Sequence, residues 1–110
     1  MLYTEFRVGE KEYKLRLDTR ATVSLEKVLG HNPLSIFTNA SKEELPTVEV
    51  MVTVLHYALQ PLQDNIQLED TYEIFDAWLD EGHTVSEFIG VIVEVFKASG
   101  LIQRDKKEKN

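Results

Sequence analysis

Three histidines, no cysteine and a series of carboxylates are the residues in this chain that could do chemistry. His31 falls at the end of one helical stretch, His56 in the middle of another and His83 in a turn between two more. None forms the i, i+4 histidine pair that puts two imidazoles on one helix face for zinc. His83 with Asp80 and Glu81 could in principle hold a divalent ion. The plainer reading is a loop histidine near a helix C-terminus, where a partial positive charge is favoured. There is no glycine-rich phosphate loop and no nucleophile elbow. A small hydrolase built on His83 or His56 with a carboxylate would have no nameable nucleophile, metal set or oriented base. The expectation is no catalytic centre, no metal and no cofactor.

The carboxylates are more orderly. At about 100° per residue, Glu69, Glu73, Asp76 and Asp80 fall on one stripe of a predicted helix, away from an apolar stripe of Leu68, Tyr72, Phe75 and Leu79. Like charges at this spacing cost a few tenths of a kcal/mol per pair, and no lysine relieves them. A calcium loop needs acids at alternating positions around a central glycine, which helical spacing does not supply. The stripe is therefore either a solvated face or a surface that meets a basic partner. Ile74 and Trp78 lie beside the apolar stripe, and Val91 and Val95 hold a comparable flank of the last helix. Such extra width means that both helices are sandwiched in the core or that they expose a patch to another chain. Tryptophan is highly enriched at binding hot spots, so Ile74, Trp78, Val91 and Val95 are the candidate partner-binding residues, with Trp78 as anchor.

The elements that would position these groups follow from periodicity. Phe6 and Val8, then Tyr13, Leu15 and Leu17 across Gly9-Glu10-Lys11, alternate as a β-hairpin does. From Asp18 or Thr19 the period becomes helical through Ala21, Leu25, Val28 and Leu29 to Gly30. Asn32-Pro33 breaks the chain, Leu34, Ile36 and Phe37 suit a single helical turn, and residues 38–44 read as a polar loop. A second long helix runs from Pro46-Thr47 to about Gln60, where Pro61 stops it. Its apolar residues, Val48, Met51, Val52, Leu55 and Leu59 with Val50, Val54 and Ala58 alongside, suit the buried centre of the fold. A third runs from Leu68 to Leu79 and is closed by Gly82; Thr84-Val85-Ser86-Glu87 is a capping box that opens a fourth, ended by Gly100. The fold class is α+β, mostly α: an N-terminal β-hairpin packed on a bundle of about four helices. Leu15, Leu25, Val52, Leu55, Phe75, Leu79, Ile89, Ile92 and Phe96 should lie in the core.

The bulk properties narrow the function. At 110 residues, 43% hydrophobic and 28% charged, the chain suits one domain over residues 1–102, followed by a charged, disordered tail over 103–110. Its net charge is −7, and between Glu43 and Phe96 there are twelve acidic residues and no lysine or arginine. That field opposes phosphate binding, so nucleic acid is not an expected partner. It leaves open an acidic DNA mimic, or another inhibitor acting by protein binding, as an alternative, although here the acids interleave with core positions. The start MLYTEFRVGE has charges where a signal peptide needs an apolar run, and no apolar run approaches a membrane span of about 20 residues. A cytoplasmic protein that meets no membrane is expected.

The segments LRLDTRATVSLEKVLGHNPL (15–34), LPTVEVMVTVLHYALQ (45–60) and LEDTYEIFDAWLDEGHTVSEFIGVIVEVFKASGLI (68–102) together resemble the tail assembly chaperones of long-tailed, siphovirus-type phages and prophages of Gram-positive bacteria. The order of hairpin, TRA-type helix start, LG-x-NPL break and DEGH turn carries the likeness. The resemblance implies a non-catalytic protein that coats or escorts the tape measure protein in the host cytoplasm and is absent from the mature virion. It also implies, as further candidate partners, the tail tube protein, a second copy of the chain and a longer form made by ribosomal frameshifting. Lys106-Lys107 lies where an A-rich slippery codon pair would sit, and is equally well accounted for as part of a charged tail.

Overall fold

The structure is a computed structural model and describes residues 2–40 and 44–104. It opens with an antiparallel hairpin of β1 (Thr4–Val8) and β2 (Lys11–Leu15), in register from Thr4 opposite Leu15 to Val8 opposite Lys11. The two-residue loop begins with Gly9 at φ 61°, where a side chain would be strained. Positive φ at the first loop position alone is the II′ pattern, whose twist matches that of the strands. The Gly9 N–H donates to the Glu81 carboxylate, which ties the loop to the far helical hairpin. On the outer edge of β2, the Gln63 side-chain amide stands in for a third strand: Oε1 accepts from the Lys14 N–H at 2.6 Å and Nε2 donates to the Lys14 carbonyl at 3.0 Å. This occupies the outward N–H and carbonyl of Lys14 and so blunts that part of the edge to strand addition.

Five helices follow: α1 (Thr19–Leu29), α2 (Pro33–Thr38), α3 (Val48–Leu59), α4 (Leu68–Asp80) and α5 (Val85–Ala98). The fold is thus α+β and mostly α, with the short α2 added to the four long helices. Local chemistry sets the ends. Asp18 caps α1 by accepting the Ala21 N–H at 2.9 Å, and Gly30, left-handed at φ 71°, closes it. Thr47 caps α3. Thr84 and Glu87 form the reciprocal capping box of α5, at 3.2 and 3.0 Å.

Helix α3 is the centre, packed against β2, α1, α4 and α5, with Met51, Val52, Val54, Leu55, Ala58 and Leu59 all buried. Its two-sided apolar pattern is what a helix surrounded by others requires. Strand β1 lies against α4 and α5. There Phe6, Phe75, Trp78 and Phe88 make an aromatic cluster, including an edge-to-face Phe75–Phe88 pair with centroids 5.0 Å apart. Leu15, Leu25, Val52, Leu55, Phe75, Ile92 and Phe96 are buried as expected, but Leu79 and Ile89 are only partly buried against this core.

Leu79 differs because α4 is turned. Its buried residues are Thr71, Ile74, Phe75 and Trp78, not Leu68, Tyr72, Phe75 and Leu79. At 100° per residue this is a rotation of roughly 80° about the helix axis. Trp78, the largest apolar side chain, takes the site facing β1 and α5, and Tyr72 moves outward, where its hydroxyl remains in water. At the C-terminal end, Arg104 donates from Nε to the Lys97 carbonyl at 3.0 Å. That side chain adds a second kind of donor to a carbonyl of the last turn of α5 that the Gly100 N–H already reaches at 3.1 Å. Residues 105–110, the remainder of the tail expected from 103, with Lys106-Lys107, and residues 41–43 of the expected polar loop lie outside the described residues.

Candidate partner-binding surface

The turn of α4 decides which apolar residues another chain can reach. Trp78 is 5% exposed, Ile74 and Val95 are also buried, and Val91 is half-buried. Three of the four residues assigned to a partner on sequence grounds are therefore core residues. The assignment of Ile74, Trp78 and Val95 to a binding surface is corrected, because their side chains are buried in the core, Ile74 keeping only an edge in the pocket beside Val8 and Tyr13. The excess apolar width of α4 and α5 is used inside the molecule, against Phe6 and the neighbouring helices.

The side chains displaced outward form a surface of their own. Val28 of α1, Val48 of α3, and Leu68 and Tyr72 of α4 are 59%, 50%, 43% and 46% exposed. They line a groove of about 570 Å³, floored by Val52 and Phe75 and bordered by Glu49, Thr53 and Asp76. The Thr53 hydroxyl is committed to the Glu49 carbonyl at 2.7 Å, so its donor is turned inward. What remains is an apolar trough, part aliphatic and part aromatic, with two carboxylates on its rim. The sequence did contain a signal for it: the apolar residues of α3 spread well beyond one stripe, and a helix buried on most sides still has an end to expose.

Glu69, Glu73, Asp76 and Asp80 are all exposed, along the side of α4 opposite its buried face. Among the described residues no lysine or arginine pairs with any of them. Asp76 belongs both to this stripe and to the groove, so the acidic face and the apolar trough share an edge.

The titratable groups elsewhere are structural in their contacts. His83 stacks on Trp78 with ring centroids 4.3 Å apart and planes 8° from parallel, and its Nδ1 lies 3.2 Å from Glu87. His56 Nδ1 lies 3.0 Å from the hydroxyl of the fully buried Thr71, which joins α3 to α4, and 3.4 Å from the Gln60 amide nitrogen. Burial lowers the His56 pKa from its ordinary value, and an N–H donor facing Nδ1 favours the same neutral form. The unfolded chain then binds the proton more tightly, so the His56 contribution to stability is full above about pH 6.5 and is lost as pH falls through the lowered folded value. Urea unfolding at pH 7.5 and 5.5 should show a loss on acidification that is smaller in His56→Gln; an equal loss in both proteins would assign the effect to other groups. Among the described residues, no three or more His, Cys, Asp or Glu side chains are grouped so as to hold a metal ion. No helix among them is long and apolar enough to cross a membrane.

A family model described as a family of unknown function, DUF6096, matches residues 3–110. The chain belongs to the DUF6096 family. No curated protein and no solved structure matches it. In this DUF6096 member, Val28, Val48, Leu68 and Tyr72 line an exposed apolar groove with an acidic border.

Proposed function

We propose that the protein is a non-catalytic binding module that acts as a phage tail assembly chaperone, holding the tape measure protein soluble in the host cytoplasm until the tail is built. One observation supports this most directly: an exposed apolar groove between α1, α3 and α4 on a strongly anionic surface. A chaperone for a long helical client needs apolar area to cover the client's apolar faces and charge to keep the complex dissolved. The likeness of residues 15–34, 45–60 and 68–102 to tail assembly chaperones points to the tape measure protein as the client. The tail tube protein, a second copy and a frameshifted longer form remain further partners to be tested.

Coexpression tests the reading. The tape measure protein should stay soluble, and migrate with this chain, only when the two are made together. If the chain changes neither solubility nor migration, the chaperone role is abandoned. An acidic DNA mimic would instead bind a basic DNA-binding protein through the exposed α4 carboxylates, with strong salt dependence and no need of Val48 or Leu68.

A further inference from the structure

We infer that the groove between α1, α3 and α4 is the docking site for an amphipathic helix whose apolar stripe is flanked by lysine or arginine. This rests on the chaperone reading and specifies what its client must present. Shape, chemistry and charge each narrow the occupant.

The trough lies between α3 and α4, with Val28 of α1 at its side. Its lining runs from Val48 to Thr53 on α3 and from Leu68 to Asp76 on α4, about 8 and 12 Å at 1.5 Å per residue. About two turns of a partner helix fit such a length, enough for apolar anchors at i, i+3 or i+4, and i+7. A small polar ligand is a poor match, since specific small-molecule sites converge several polar groups on an apolar pocket. Here the polar groups are the two carboxylates on the rim and the hydroxyl of the half-exposed Tyr72, and the Thr53 donor is already used.

Charge selects the sign of the partner. Glu49 stands on one wall and Asp76 on the other, neither α3 nor α4 contains a lysine or arginine, and on α1 the exposed Lys27 beside Val28 is offset by its neighbour Glu26. Glu69 and Glu73 are exposed on the adjoining face of α4, outside the groove itself, with Glu73 turned toward Lys11 and Tyr13 of the hairpin. A second copy docked groove to groove would bring the carboxylates of one copy onto the same acidic rim of the other, because a two-fold interface matches a patch with itself. Nucleic acid and anionic lipid are repelled for the same reason. A helix with basic flanks instead relieves the repulsion left among the α4 carboxylates, which have no cation of their own among the described residues.

The test uses the full chain and three synthetic peptides of about 18 residues, long enough for several helical turns. One has leucines at helical spacing flanked by lysine, one the same leucines flanked by glutamate, and one the lysines with serine in place of leucine. Peptide binding is followed by amide and methyl NMR shifts. The leucine–lysine peptide should bind with shifts centred on residues 48–53 and 68–76, and at least ~10-fold more tightly than either other peptide. Val48→Ser with Leu68→Ser, at two half-exposed positions, should weaken it ~10-fold without changing the melting curve. Glu49→Lys with Asp76→Lys should invert the preference toward the glutamate-flanked peptide, and it decides the matter if the serine variant melts early. Equal binding of the leucine peptides, shifts centred elsewhere, no binding, or a groove-mediated dimer would each overturn the proposal. Should coexpression solubilise the tape measure protein equally well with the serine variant, the groove assignment falls and the chaperone role stands. If the peptides bind as expected while coexpression fails, the groove stands and the chaperone role falls.

Discussion

Trp78→Ala is expected to destabilise the fold by ~3–5 kcal/mol, the range for truncating a buried large aromatic residue. Trp78 sits among Phe6, Phe75 and Phe88, at centroid distances of 5.5, 6.3 and 5.7 Å, and under the stacked ring of His83. Those neighbours come from β1, α4, α5 and the turn between the two helices, so no single element can relax to fill the space. A loss of this size is a large share of the ~5–15 kcal/mol that holds a typical domain together. Urea unfolding followed by far-UV circular dichroism measures it without relying on the deleted fluorophore. A loss below ~1 kcal/mol would mean that the aromatic cluster does not hold the hairpin to the helices. The same variant separates core from surface: any loss of partner binding should track the loss of fold, whereas a groove substitution such as Leu68→Ser should weaken binding with the fold intact.

The second large effect is expected at Leu55. It is fully buried on α3, which packs on β2, α1, α4 and α5, and Leu55→Ala should cost ~2–5 kcal/mol by leaving a cavity in a well-packed interior. Leu55→Met, which nearly conserves volume, should cost less than ~1.5 kcal/mol. If the two variants lose the same amount, the cavity account fails. If both lose less than ~1 kcal/mol in urea unfolding, α3 is not the centre of the fold.

The peripheral position of the binding groove bears on how both results are interpreted. Val48 and Leu68 lie at the first residues of α3 and α4, and Val28 near the end of α1. Helix ends contribute less to the shared core than helix middles, so apolar residues can be kept there for a partner at small cost in stability. The same location also limits the groove to a short contact, about two helical turns long.

Much of this protein was legible in its sequence because the signals are local. The hairpin followed from alternation around Gly9-Glu10, and the helix ends from Asp18, Gly30, Thr47 and the Thr84–Glu87 box, each a hydrogen bond or backbone conformation settled within a few residues. The centrality of α3 followed from apolar residues on more than one face, and the exposure of Glu69, Glu73, Asp76 and Asp80 from the desolvation that a buried carboxylate would suffer. The rotation of α4 was settled only in the tertiary structure. Two apolar stripes, one of Leu68, Tyr72, Phe75 and Leu79 and another of Ile74, Phe75 and Trp78, compete for the core, and periodicity within one helix cannot rank them. The choice was made by residues far away in the chain: Phe6 on β1 and Phe88 on α5 form the cavity that Trp78 fills. With Trp78 inside, Tyr72 and Leu68 had to face out, and a groove with an acidic edge appeared where the sequence had suggested core.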